Sequence, residues 1–312
     1  MIKHSVPNYL KVGAFCIGIF IFILACKEQS RGQNSDTITA GEISVYVDET
    51  VQSLVEGQVE VFESQYKAKI NLTAKPESAV VNDLITGKTN MAVLTRKLTP
   101  EEEVYFKNKK VKARVSHFAS DAIVFIRNKS VSDTLLDLDQ VYNLLHGKSS
   151  TIKNLVFDNP NSSVISYLNR WAKIEKMPTQ GIFSLNSTKE VLEFVSKNQD
   201  AIGVIGMDAI AEPYPEWQSL IENVRPLAIR NVKNGANNKV YYLPNQANLG
   251  AGLYPLKRSI YVLNYQGYAG LGTGFASFVV GDVGQRIVLR SNLLPISIPP
   301  RNIVTRKNIN LK

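Results

Sequence analysis

Short β-rich segments alternate with helical segments through most of the chain after Gly41. Apolar alternation or continuous apolar runs predict strands at residues 43–47, 70–74, 91–94, 122–126, 155–157, 201–205 and 259–263. Helical periodicity predicts helices at residues 51–65, 80–85, 136–145, 163–172, 189–196 and 274–289, and another that opens at Pro100. Such alternation favours an α/β fold, and about 270 residues favour two lobes over one core.

The N-terminal segment has the pattern of a signal peptide. Lys3 and Lys11 supply basic charge, and the apolar run Val12–Ala25 has the length of a signal-peptide core but is short for a membrane span. The run ends in Ile23-Leu24-Ala25-Cys26, which resembles the lipobox of bacterial lipoproteins. This resemblance implies cleavage before Cys26 and acylation of its thiol. A plain signal peptide or an N-terminal anchor helix is the alternative.

If the lipobox is used, residues 1–25 are the signal peptide and residues 26–40 are a lipidated polar tether. The protein is then held on a lipid bilayer at the cell envelope and faces the periplasm or the exterior. The two cysteines, Cys16 and Cys26, both lie in this N-terminal part, so the mature chain would have neither a disulfide nor thiol catalysis.

Charge and motifs narrow the function classes. Without the signal peptide the chain keeps 34 basic residues against 27 acidic ones, and the net charge of +7 suits anionic ligands or anionic lipids. The basic residues are dispersed, so nucleic-acid binding is not expected. His117 and His146 lack neighbours at metal-ligand spacing, and no nucleophile motif occurs, so we expect no metal, no cofactor and no enzyme activity. The glycine run Gly270–Gly274 is interpreted as a flexible start to the last helix.

Small polar residues follow two of the predicted strands and precede a helix. The first turn is Asp48-Glu49-Thr50, and the second spans residues 158–163. Ligands of open α/β sheets bind beyond the carboxyl ends of the strands, and helix N-termini favour anions. Simple N-capping would explain either turn alone, but one such turn in each predicted lobe favours an anion site.

The mature chain resembles the phosphate-binding branch of the periplasmic binding proteins over about 250 residues. The motifs that carry the resemblance are, in order, Gly41–Thr50, Asn82–Gly87, Ala92–Thr99, Ser120–Lys129, Ala201–Gly206, Tyr254–Tyr261 and Phe275–Gln285. The family implies a two-lobed periplasmic binding protein fold (type II-like), with mixed, mostly parallel sheets and a ligand cleft between the lobes. We therefore expect lobe I at residues 41–119 and 215–312, lobe II at residues 120–214, and crossings near residues 117–121 and 207–220.

The resemblance also implies which residues bind the ligand. These are Asp48, Glu49, Thr50, Ser78, Thr95, Arg96, Asn161, Ser162 and Ser163. Phe157 stands where the family often has the arginine that pairs with the anion, and Arg96 stands where it has an aspartate. We hypothesise that Arg96 supplies the missing charge from the opposite lobe and that Asp48 or Glu49 orients it. An ordinary surface arginine is the alternative.

The implied function is capture of phosphate, or of a related small oxyanion, by a monomeric lipoprotein. The lipoprotein would deliver the anion to the permease subunits of an ABC importer after hinge closure of the lobes. Two alternatives stay open: a receptor for sulfate, molybdate or an organic acid, and a sensor or surface lipoprotein without a transport role.

Overall fold

The computed structural model describes residues 36–230 and 239–298. The predicted signal peptide, Cys26 and most of the predicted tether lie outside the described residues. Within the described ranges, no helix has the length and apolar character needed to cross a bilayer.

Strands and helices alternate as the sequence predicts. The strands are β1 (Ala40–Asp48), β2 (Lys67–Lys75), β3 (Met91–Leu94), β4 (Arg114–Asn128), β5 (Leu135–Asp137), β6 (Asn154–Phe157), β7 (Ile182–Ser184), β8 (Ala201–Gly206), β9 (Val224–Pro226), β10 (Ala228–Arg230), β11 (Lys257–Asn264) and β12 (Leu294–Pro295). The α-helices are α1 (Gln52–Gln65), α2 (Glu77–Ile85), α3 (Pro100–Asn108), α4 (Leu138–Leu145), α5 (Ser163–Ala172), α6 (Thr188–Lys197), α7 (Asp208–Ala211), α8 (Gln218–Ile221), α9 (Gln246–Gly250), α10 (Leu271–Val280) and α11 (Asp282–Arg290). Short 3₁₀ turns occupy Glu49–Val51 and Pro215–Trp217.

The main sheet is mixed, as predicted. Its strand order is β2-β1-β3-β11-β4-β8-β6-β7. Pairing is parallel at both ends, where β1 joins β2 and β3, and where β6 joins β7 and β8. The pairings of β3 with β11, of β11 with β4, and of β4 with β8 are antiparallel. The outer strands thus form two parallel groups, which the antiparallel strands β11 and β4 separate.

Strand β4 links the two parts of the main sheet. Its residues 114–122 pair with β11, and its residues 123–127 pair with β8. The first predicted crossing at residues 117–121 falls within this strand. Strand β9 still pairs with residues 126–128 of β4, and β10 pairs with β5 in a separate two-stranded sheet. The lobe boundaries stay a prediction, but this pairing argues for a return later than residues 207–220.

Burial follows the apolar patterns in the sequence. Every residue of β3 and β8 is buried, because helices cover both faces of these strands. Helix α5 begins where predicted, since the Ser162 hydroxyl accepts a hydrogen bond from the Ile165 amide and thereby caps the helix. The larger of two buried apolar clusters among the described residues includes residues of β1, β4, β6 and β8, so this core extends on both sides of β4. The polar turns lie at the ends of the strands.

Two helix predictions need correction. The segment predicted as helix 136–145 begins as strand β5, which pairs with β10, and becomes helical only at Leu138. The last predicted helix, 274–289, is two helices divided at Gly281. The run Gly270–Gly274 is not a flexible start, because α10 already begins at Leu271. A Cβ atom on Gly274 would overlap the Ile38 carbonyl, so this glycine permits close packing.

Candidate functional site

An arginine–aspartate pair lies at the centre of the mixed sheet. Arg258 near the start of β11 stands directly opposite Asp121 in β4. Its Nε donates to Asp121 Oδ1 at 3.0 Å, and its Nη2 donates to Oδ2 at 2.5 Å. Neither side chain has any solvent exposure. Burial opposes the charge of Arg258, but the carboxylates of Asp121, Asp48 and Glu77 outweigh it and raise the pKa of the guanidinium.

The guanidinium of Arg258 also contacts hydroxyls from both predicted polar turns. Its Nη1 donates to Ser163 Oγ at 2.9 Å, and its Nη2 lies 3.4 Å from Thr50 Oγ1. The two hydroxyls are themselves 2.9 Å apart. Ser163 is the first residue of α5, where free backbone N–H groups and the helix dipole favour negative charge. One buried cation, two hydroxyls and a helix start therefore converge on one place.

Asp48 lies beside this group, at the end of β1. Its Oδ1 accepts hydrogen bonds from the Thr50 amide at 3.1 Å and from the Thr50 hydroxyl at 3.0 Å. The Thr95 hydroxyl, at the end of β3, lies 3.3 Å from Asp48 Oδ2 and 3.5 Å from Glu77 Oε2. All four side chains are buried, so the cleft wall is rich in hydrogen-bond acceptors.

Arg96 is held by two carboxylates that differ from those in the prediction. Its Nε donates to Glu77 at 2.8 Å, and its terminal nitrogens donate to Glu102 at 2.7 and 2.9 Å. The prediction that Asp48 or Glu49 orients Arg96 is therefore wrong. Glu102 is three residues into α3, where it also accepts from the Thr99 amide in a capping box, which explains its fixed position. Both carboxylates offset the charge of Arg96.

A hydrogen bond between an amide and a carboxylate joins the two polar turns, and another carboxylate lies beside it. The Asn159 amide donates to the Glu49 carboxylate, and Asp158 lies fully buried beside them. Asp158 Oδ2 has no hydrogen-bond partner among the described residues. Burial, together with the charges of Asp158 and Asp48, raises the pKa of Glu49 to about 7. Burial likewise raises the pKa of Asp158 to about 6.

The structure brings most of the predicted site residues together. Thr50 and Ser163 contact Arg258, while Ser162 caps α5. Ser78 and Asn161 are exposed and meet through their backbones, with the Ser78 amide 3.5 Å from the Asn161 carbonyl. Their roles in binding stay predictions. In the described ranges, no three histidine, cysteine, aspartate or glutamate side chains are grouped so that they could hold a metal ion.

Sequence reasoning missed Arg258 and Asp121, and it did not predict that the side chain of Asp158 is buried. Phe157, the position where an arginine was sought, is fully buried in the core at the end of β6. The buried guanidinium beside the two polar turns comes instead from a strand that is far away in sequence. The sequence did contain a signal for this pair. Arg258 directly precedes the predicted strand 259–263, and Asp121 directly precedes the predicted strand 122–126.

Residues 32–283 match the model of the PBP superfamily domain. The chain belongs to the PBP superfamily. This is a superfamily of solute-binding proteins rather than of enzymes, in keeping with the expectation from the sequence. A search of curated protein sequences finds no match.

Solved structures with the same fold include two phosphate receptors. A Clostridium perfringens protein described as a phosphate ABC transporter substrate-binding protein, with bound phosphate, aligns with a TM-score of 0.67 and 17% identity, over 82% of this chain and 100% of its own. An ABC-type phosphate transport receptor from Vibrio cholerae gives 0.62 and 15%, with the same coverage. The regulatory domain of Synechocystis CcmR in complex with 2-PG gives 0.52 and 11%, over 77% of this chain and 95% of its own. These likenesses establish the two-lobed PBP fold that the sequence predicted.

Proposed function

We propose that this PBP superfamily member is an extracytoplasmic, lipid-anchored receptor that captures phosphate, or a closely related small oxyanion, for an ABC importer. The observation that carries the proposal is the buried guanidinium of Arg258, with hydroxyls from both polar turns around it. A buried anion requires hydrogen bonds and a compensating charge, and this group offers both. The phosphate receptors with the same fold support the choice of ligand.

The acceptors around Arg258 favour an oxyanion that carries a proton. An ionised carboxylate accepts hydrogen bonds and donates none. Asp48 and Glu77 already accept hydrogen bonds from neighbouring residues, and their remaining acceptor capacity suits a ligand that donates a hydrogen bond. Inorganic phosphate keeps at least one proton at neutral pH, whereas sulfate has none. We therefore expect phosphate to bind more tightly than sulfate.

Lipid anchoring is the second part of the proposal. The apolar run that ends at Cys26 and the polar residues behind it support a mature N-terminus acylated at Cys26. Acyl chains would hold the receptor beside the permease, and more than one chain gives stable attachment. We propose that the protein is a monomer and that delivery requires contact with the membrane permease subunits.

Isothermal titration calorimetry with phosphate and with sulfate tests the function. Wild-type protein should bind phosphate and show a weaker or undetectable response to sulfate. Native mass spectrometry of freshly purified protein would identify a retained ligand of another mass. If phosphate is not bound and another oxyanion is, the fold has been assigned correctly and the ligand wrongly.

Arg230 provides a matched control for Arg258. It donates from Nε and Nη2 to Asp137 at 2.7 and 2.9 Å, in the same two-point geometry but between β10 and β5. Arg230→Gln should leave phosphate binding unchanged, whereas Arg258→Gln should reduce it strongly.

A different observation distinguishes a transport role from a sensing role. A transport receptor should have permease and ATPase genes beside its own gene.

A further inference from the structure

A small acidic cavity adjoins the Arg258 site on the side of β8. It has a volume of about 20 Å³, and its lining includes Glu49, Thr50, Asp208, Glu212, Tyr214 and Trp217. Thr50 therefore faces both this cavity and Arg258. Gly206, which also lines the cavity, lies close to Arg258, since a Cβ atom there would be 2.9 Å from Arg258 Nη2. The two places are next to each other.

Asp208 lines this cavity, and one of its carboxylate oxygens is unsatisfied. The side chain is only 3% exposed, and its Oδ2 accepts a hydrogen bond from the Leu54 amide at 3.4 Å. Its Oδ1 is buried and has no hydrogen-bond partner among the described residues. A buried carboxylate oxygen without a donor is costly, so the cavity is suited to a group that brings hydrogen-bond donors.

The other lining groups suit a positive charge. Glu49 and Glu212 add two more carboxylates. Tyr214 and Trp217 stand edge to face, with ring centroids 4.9 Å apart, and aromatic rings attract cations. Tyr214 donates its hydroxyl to Glu56 Oε2 at 2.8 Å, which fixes the orientation of the ring. Acidic and aromatic side chains together are the chemistry that recognises an ammonium group, which has three donors.

We propose that the ligand is a zwitterion: a phosphate ester or phosphonate whose anionic end binds at Arg258, Thr50 and Ser163, and whose primary ammonium group binds Asp208 in the acidic cavity. This inference rests on the proposed capture of an oxyanion and narrows its ligand class. The cavity volume of about 20 Å³ holds one group of the size of a water molecule. A primary ammonium fits that space, and a trimethylammonium group is too large.

The electrostatics of Asp208 agree with this assignment. Burial raises its pKa to about 8, and the charges of Asp121 and Glu212 act in the same direction. The amides of Leu54 and Ser53 act in the opposite direction. An ammonium beside the carboxylate favours its ionised form, so binding of the zwitterion at neutral pH should release a proton. Calorimetry in two buffers with different heats of ionisation measures that proton.

The decisive experiment compares four ligands on wild-type protein by calorimetry: inorganic phosphate, propylphosphonate, aminoethylphosphonate and its trimethylammonium analogue. Propylphosphonate and aminoethylphosphonate have the same number of heavy atoms and differ in charge. Aminoethylphosphonate should bind at least about thirtyfold more tightly than propylphosphonate, the scale of a desolvated charge contact. The trimethylammonium analogue should bind no better than propylphosphonate.

Asp208→Asn should remove the preference for aminoethylphosphonate over propylphosphonate. Glu216→Gln is the matched control, because Glu216 is exposed on the same segment. If Asp208→Asn fails to fold, the ligand series on wild-type protein still decides the question. Equal affinities for aminoethylphosphonate and propylphosphonate, with phosphate bound, would overturn the inference and leave the proposed function intact. Binding of none of the four ligands would overturn both.

Discussion

Replacing Arg258 by Gln tests the cleft most directly. The substitution removes both hydrogen bonds to Asp121, at 3.0 and 2.5 Å, and leaves a carboxylate with no solvent exposure unpaired. Breaking a buried ion pair on one side costs about 3–5 kcal/mol of stability. It also removes the donors to Ser163 and Thr50, and with them the buried positive charge. Phosphate affinity should fall by at least about 2 kcal/mol, or about thirtyfold.

Stability and affinity can be separated with a second substitution. Asp121→Asn alone leaves Arg258 without its ion-pair partner, whereas the double variant, Arg258→Gln with Asp121→Asn, leaves no charge at these two positions. The double variant should recover most of the stability in urea denaturation, because the desolvation cost of a lone charge is gone. It should not recover phosphate affinity in calorimetry, because the guanidinium is still missing.

The ion pair of Arg230 with Asp137 provides the control for the Arg258 substitution. Arg230→Gln breaks a similar two-point pair that is partly exposed, 23% for Arg230 and 30% for Asp137, so it should cost much less stability than Arg258→Gln and leave binding unchanged. Wild-type phosphate affinity in the folded double variant would show that Arg258 is not the counter-charge. The proposal for this site would then have to be abandoned.

Four further predictions concern other parts of the chain. Cys26→Ser should release the protein from the membrane fraction or block its processing, as cell fractionation would show. Arg96→Ala should weaken phosphate binding by leaving Glu77 unpaired, and adding Glu77→Gln should restore most of the affinity. Gly206→Ala should weaken binding by about tenfold or more, because the new Cβ would be 2.9 Å from both Arg258 Nη2 and the Thr50 carbonyl. The melting temperature should fall as the pH rises through about 7, the raised pKa of Glu49, and Glu49→Gln should flatten that fall.

Each of these predictions has a contrasting outcome. Gly57→Ala is the control for Gly206→Ala: its Cβ would lie 3.7 Å from Ile287, so it should raise stability by about 0.5–1 kcal/mol without affecting binding. A Cys26→Ser protein that fractionates like wild type would argue against the lipobox. If Arg96→Ala weakens binding and Glu77→Gln does not restore it, Arg96 contacts the anion directly, as the sequence suggested.

The sign of the pH effect follows from the direction of the pKa shift. Glu49 has an ordinary pKa of 4.5 and a folded pKa of about 7, because burial and two neighbouring carboxylates disfavour its charge. The folded chain therefore binds this proton more tightly than the unfolded chain. Its contribution to stability is fully present below 4.5 and is lost as the pH rises through about 7. A melting temperature that stayed constant over that range would show that Glu49 is not buried against Asp158.

Local patterns in the sequence were sufficient to predict much of the fold. The apolar run of β3 and the start of α5 agree with the structure at the residue level, because a buried strand and a capped helix are determined by neighbouring residues. Strand β5 was missed because Leu135–Asp137 becomes a strand only by pairing with β10, almost a hundred residues later. The break at Gly281 was missed because the apolar pattern continues across it.

The candidate site shows the same limit more sharply. Both polar turns were found, since each is a contiguous stretch that follows a strand. Arg258 was not found, because its role depends on the register of β11 against β4, which places it opposite Asp121. Arg96 was assigned the wrong carboxylates because its partners also depend on tertiary packing. Its partners Glu77 and Glu102 belong to two other helices, and only their packing brings both to one guanidinium.

The charges of the assembled cleft constrain its ligand more than any single contact does. Three arginines, Arg258, Arg96 and Arg170, lie there with the carboxylates of Asp121, Asp48, Glu77, Glu102, Glu49 and Asp158. Helix starts contribute only partial positive charge, so a fully ionised oxyanion would add to an existing excess of negative charge. Protonation of Glu49 and Asp158 reduces this excess, and so does a ligand that brings a proton or an ammonium group. Sulfate brings neither, and it should therefore bind more weakly than phosphate at a pH above about 7, the raised pKa of Glu49.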